Sequence, residues 1–87
     1  MVPVHLVLFG KARELLSNAS ERNLNVPRVL KCQQLRQLIF HEMIQELSSI
    51  EKSCMLALNQ EYIGNHNDEI TISAHSEIAV IPPISGG

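Results

Sequence analysis

The chain of 87 residues has few aromatic side chains: two Phe, one Tyr and no Trp. Proteins that hold single-stranded nucleic acid stack bases on such rings along a cationic groove. Here the seven Lys and Arg lie scattered from Lys11 to Lys52 and the formal charge is −2, so nucleic acid is set aside as a partner. Cysteine is also scarce. Cys32 and Cys54 form neither a close pair nor a CxxC, and a small domain in a reducing compartment keeps such residues as buried thiols. His5, His41, His66 and His75 show no metal-ligand spacing, and no Ser-His-Asp or Cys-His pattern stands out. No metal is expected and no catalytic side chain is assigned. No apolar run approaches membrane-spanning length, and Met1-Val2-Pro3-Val4-His5 lacks the basic and apolar segments of a leader. A cytosolic protein without a membrane partner is expected.

What is present suits a small folded module. Apolar residues make up 45% of the chain and charged ones 18%, ordinary for a globular domain and unlike a disordered one. One domain of this size builds a single core but no deep, walled catalytic cavity. A binding or carrier module is therefore the first expectation.

His5-Leu6-Val7-Leu8-Phe9 reads as a strand ended by Gly10. Lys11 to Leu16 favours a short helix that Ser17-Asn18-Ala19-Ser20 stops. Arg22 to Val29 alternates around Leu24 and Val26, a second strand with Pro27 at an edge or end. From Gln33 to Leu47 the period shifts to three and four: Leu35, Leu38, Ile39, Met43 and Leu47, widened by Phe40 and Ile44, predict an amphipathic helix of roughly four turns. Ser48 to Ser53 reads as connection, Met55 to Leu58 as a strand running into Asn59-Gln60-Glu61-Tyr62, and Gly64 to Asp68 as a turn. Ile70-Thr71-Ile72 and Glu77 to Ile81 are further strands, the last ended by Pro82. This order predicts an α+β fold: a mixed sheet with one face under a single main helix and the final strand beside the first.

Strand parity then sorts side chains. If Leu6 and Leu8 pack with Ile78 and Val80 under the helix, then His5, Val7, Phe9, Ala57, Ala79 and Ile81 fall on the opposite face, with Tyr62 near. Small domains always show some apolar surface, but a contiguous patch beside a projecting tail marks a docking surface.

The tail is Pro82-Pro83-Ile84-Ser85-Gly86-Gly87. Two prolines favour extended backbone at ~3.1 Å per residue, so the segment can hold its carboxylate roughly 15 to 20 Å from a body formed by residues 1–81. Gly86 and Gly87 lack Cβ atoms, so this end can thread a narrow slot and expose its carboxyl carbon to a reagent. A terminal diglycine alone commonly means only a frayed end. The strand, prolines, glycines and stop together point to a terminus that is itself the reactant.

The ending Glu77-Ile78-Ala79-Val80-Ile81-Pro82-Pro83-Ile84-Ser85-Gly86-Gly87 resembles that of the small, sulfur-carrier subunits of molybdopterin synthase. Leu8-Phe9-Gly10-Lys11-Ala12-Arg13-Glu14-Leu15 is similar to that family's first strand and following helix, and Leu58-Asn59-Gln60-Glu61-Tyr62 to its central strand end. The resemblance implies a ubiquitin-like β-grasp fold of four to five strands. It also implies that a ubiquitin-activating-type adenylyltransferase consumes ATP to adenylate Gly87, and that a sulfur donor then makes the thiocarboxylate. The tail would deliver sulfur to cyclic pyranopterin monophosphate in the large synthase subunit, within a heterotetramer of two small and two large subunits. The resemblance further implies no permanently bound cofactor, with the thiocarboxylate on Gly87 as the functional group. By the same resemblance Phe9, Tyr62 and Ile81 dock partners. Two departures stand out: His75-Ser76 replaces the family's usual Gly-Asp before the acidic residue, and Gly10 replaces a small or aromatic residue. Other β-grasp sulfur carriers, serving thiazole synthesis or tRNA thiolation, a ubiquitin-like protein modifier, and a plain interaction domain stay open as alternatives.

Overall fold

In the computed structural model, residues 1–16, 21–64 and 68–82 are described. The elements are β1 (Val2–Leu8), α1 (Gly10–Leu15), β2 (Glu21–Val26), β3 (Val29–Lys31), α2 (Cys32–Gln37), β4 (Met55–Leu58), β5 (Glu61–Ile63), β6 (Glu69–Thr71) and β7 (Ser76–Ile81). A π-helical turn, Leu38–Met43, and a 3-10 helix, Gln45–Ser53, follow α2. Five strands form one mixed sheet in the order β2-β1-β7-β4-β5, and β3 pairs with β6 in a separate ribbon. β1 and β7 run parallel side by side at the centre. This is the ubiquitin-like β-grasp arrangement, with the last strand beside the first as the sequence predicts.

Period-2 alternation drives the packing. Leu6, Leu8, Ile78 and Val80 are at most 1% exposed and lie in register across β1 and β7. Above them Leu35, Ile39, Phe40, Ile44 and Leu47 close the core, with Ala12 and Leu16 from the α1 region. Each large apolar side chain so buried contributes about 1.5–3 kcal/mol, so this seam anchors the fold.

The long helix is where prediction and structure part. Its N-terminus is set by the Gln34 carboxamide, which accepts the Lys31 N–H at 2.8 Å, the return half of a capping box. After Gln37 the coil widens, and the Ile44 N–H reaches the Ile39 carbonyl five residues back at 3.0 Å. The apolar set is too broad for one straight α-helical stripe, and a π turn inserts an extra residue per turn. Ile39, Phe40 and Ile44 all reach zero exposure that way. Ile44 then leaves helical geometry (φ −131°, ψ 77°), and the stretch predicted as connection forms the 3-10 helix. The strand predicted from Arg22 to Val29 also divides at Pro27, so that Val29 belongs to β3 and pairs with Thr71.

Candidate functional site

The side of the five-stranded sheet away from the helices is open. Cross-strand register sets its residues in rows. One row runs Glu21, Val7, Ala79, Ala57, Tyr62 across all five strands. The next holds Ile81 opposite Met55, and Phe9, one residue past β1, donates its N–H to the Val80 carbonyl at 3.3 Å. The parity reading thus holds for Phe9, Tyr62 and Ile81: the first two are 49% and 64% exposed and Ile81 is partly buried. Ala57 and Ala79 depart from it in degree. Though on the open face, they are only 4% and 5% exposed, a shallow floor between larger neighbours. Met55, 49% exposed, belongs to the same patch and was missed; its parity with Ala57 was the available signal.

The hairpin between β4 and β5 positions Tyr62. Asn59 and Gln60 both take left-handed backbone (φ 49° and 72°), the two-residue turn whose twist matches paired strands and which asparagine tolerates well. The Asn59 carboxamide then ties the turn to β7. Its Oδ1 accepts the Glu77 N–H at 2.9 Å, its Nδ2 donates to Ser76 Oγ at 3.4 Å, and its own N–H donates to the Glu77 carbonyl at 2.8 Å. The Leu58-Asn59-Gln60-Glu61-Tyr62 stretch is thus scaffolding that holds the exposed Tyr62 ring opposite Ala57.

Away from the tail the face turns polar. His5 lies between Asn23 and Glu77 in register. Its Nε2 meets Glu21 Oε1 at 2.8 Å and its Nδ1 meets Asn23 Oδ1 at 3.2 Å. Both ring nitrogens face acceptors, so the Glu21 hydrogen bond, then that of Asn23, raises the imidazole pKa above its ordinary value. At the β7 entry His75 has φ 67° and donates its N–H to Pro3 O at 2.7 Å. A left-handed residue is required there, which accounts for the glycine that the resemblance leads one to expect.

The tail root is built from both strand ends. Ile81 closes the ladder with β4, and Pro82, which has no N–H to extend it, lies partly buried. Gly10 has φ +52°, and a Cβ there would meet Pro82 Cγ at 3.5 Å. Pro83, Ile84, Ser85, Gly86 and Gly87 lie outside the described residues.

The thiols are elsewhere. Cys32 and Cys54, both buried, line a cavity of about 190 Å³ with Arg36, Lys52, Met55, Ile63 and Gly64. Burial pushes both thiols up, against the pull of Arg36, which leaves them poor nucleophiles at neutral pH. Among the described residues no three His, Cys, Asp or Glu are grouped to hold a metal ion, and no helix is long and apolar enough to cross a membrane.

The sequence of the chain and its β-grasp body both match known proteins. The profile of the ThiS family matches residues 6–87. The chain belongs to the ThiS family. It is 41% identical over 87 residues to a molybdopterin synthase sulfur carrier subunit of Caenorhabditis briggsae, covering all of both chains. Among solved structures, SAMP1 from Haloferax volcanii superposes with a TM-score of 0.72 at 16% identity, covering 98% of this chain and 99% of that one. A complex of subunits 1 and 2 of molybdopterin-converting factor from Helicobacter pylori 26695 gives 0.68 at 21%, covering 99% and 100%. These ThiS-family and structural likenesses share the fold described above.

Proposed function

We propose that this ThiS-family chain is the sulfur carrier subunit of a molybdopterin synthase, and that the carboxylate of Gly87 is its reactive group. A carboxylate is a poor electrophile. Attack on ATP by the carboxylate, in the site of a ubiquitin-activating-type enzyme, gives the acyl adenylate and releases pyrophosphate. A sulfur nucleophile then displaces AMP and leaves the thiocarboxylate. The tail from Pro82 to Gly87 carries that sulfur into the large subunit, which supplies the acid, base and cationic groups for its transfer to cyclic pyranopterin monophosphate. Two small and two large subunits make up the working assembly, and the small subunit holds no permanent cofactor.

The observation that supports this best is the junction of face and tail. Phe9, Met55, Tyr62 and Ile81 form an apolar surface that ends at Pro82, so a partner seated on the face receives the tail at a set origin. The 41% identity, over the full length of both chains, to a named sulfur carrier subunit points the same way. The test is a Gly87 deletion and a variant extended by one residue. Both are expected to lose sulfur transfer with an unchanged thermal melt; activity in the extended form refutes the terminal-carboxylate mechanism. Intact mass separates the neighbouring chemistries: oxygen-to-sulfur exchange adds 16 Da, whereas a protein modifier yields conjugate ladders.

A further inference from the structure

We infer that Gly10 is a positioning residue for the tail, its left-handed backbone setting the direction in which the chain leaves the body at Pro82. This rests on the proposed role of the tail as reactant. The β7 strand carries its ladder to Val80 and Ile81: the Val80 carbonyl accepts the Phe9 N–H at 3.3 Å, and Ile81 pairs with Met55. Pro82 then has no N–H to continue it. The β1–α1 corner lies beside this point. Gly10 opens α1 at φ +52°, and Pro82 Cγ lies 3.5 Å from the point where a Cβ would stand.

The corner is fixed on both sides. Phe9 donates to Val80 and its own carbonyl accepts the Ala12 N–H at 3.1 Å, with Ala12 fully buried. A change in the sign of φ at residue 10 therefore cannot be absorbed locally. It rotates either Phe9, a docking side chain, or the floor under Pro82. Space alone does not favour glycine, since 3.5 Å is an ordinary contact; handedness does, because an L residue held at this φ costs about 1–2 kcal/mol. A tail that must thread a partner's active site loses rate when its origin tilts, because a displacement of about an ångström can cost up to ~100-fold.

The experiment uses the full chain with Gly10→Ala and, made by ligation, the same position carrying D-alanine. The pair differs only in handedness. Each is assayed with its activating enzyme for thiocarboxylate formation by intact mass, and with the large subunit for single-turnover sulfur transfer, well below its melting temperature. The L-alanine protein is expected to fall about tenfold or more in the single-turnover rate constant, and the D-alanine protein to match the parent. An NMR contact between residue 10 and Pro82 should persist only in the parent and the D-variant. Equal activity in all three, or an equal fall in both variants, overturns the assignment. A Gly87-extended control that stays active would instead remove the functional reading, leaving the two failures distinguishable.

Discussion

Replacing Arg36 with methionine tests what holds the 3-10 segment against α2. The Arg36 guanidinium donates to Glu51 Oε2 from Nε at 2.9 Å and lies 2.7 Å from it at Nη2, while Nη2 also donates to the Glu51 carbonyl. It lies 5.3 Å over the Phe40 ring centroid. The two side chains are only 11% and 22% exposed, so this is not a surface pair worth a few tenths of a kilocalorie. Stranding one partner of a fully buried pair costs about 3–5 kcal/mol. Glu51 keeps some contact with water, which lowers that to roughly 2–3 kcal/mol, and the lost cation–π contact adds about 0.5–1 kcal/mol. Methionine retains most of the aliphatic stem. For a domain of this size the sum lowers Tm by roughly 10–25 °C.

Acid adds a second arm to the same test. The Arg36 hydrogen bond is the main influence holding the Glu51 carboxyl below 4.5. That stabilisation is fully present above about pH 4.5 and is lost as pH falls through the lower folded value. The gap between parent and Arg36→Met should therefore be full at pH 7 and narrow toward pH 3. A drop in Tm below about 3 °C at neutral pH, or a gap that ignores pH, would show the pair to be solvent-screened.

Three further expectations follow from the same geometry. Phe9→Glu and Tyr62→Glu should weaken large-subunit binding by about 2 kcal/mol or more each, measured by calorimetry, with little change in the melt; a collapsed melt would place these side chains in the core instead. His75→Gly should raise Tm by a few degrees, because relief of about 1–2 kcal/mol of left-handed strain outweighs roughly 0.5–1 kcal/mol of added chain entropy; a fall in Tm would mean the imidazole itself is needed. Glu21→Gln should return the His5 pKa toward 6.5, read by NMR titration. In the parent the raised value means that the His5 interaction strengthens folding below pH 6.5 and is lost as pH rises through the folded value.

Parity made much of this molecule readable. Leu6 and Leu8 against Ile78 and Val80 obey a strict two-residue period, and that period alone separates the core from the face bearing Phe9 and Ile81. The helix was less transparent, because Leu35, Leu38, Ile39, Met43 and Leu47 fit a straight amphipathic stripe and only Phe40 and Ile44, which broaden it, hint at a widened turn. Only the demand that Ile39, Phe40 and Ile44 all be buried at once selects the π geometry. The 3-10 helix is tied to α2 by Arg36 reaching Glu51 fifteen residues away, a long-range contact without a local signature. Backbone handedness at His75 was equally hidden, since a residue other than glycine only rarely adopts it. The tail, clearest of all in the sequence, has only Pro82 among the described residues.

β7 sits at the centre of the sheet, bonded to β1 on one side and β4 on the other, and it is the strand from which the tail departs. A load applied to the last residues by an enzyme or a partner is therefore shared by two ladders in shear rather than peeling an edge strand away. The β7 amides should be among the last to exchange with deuterium, and the body should stay folded under such a load.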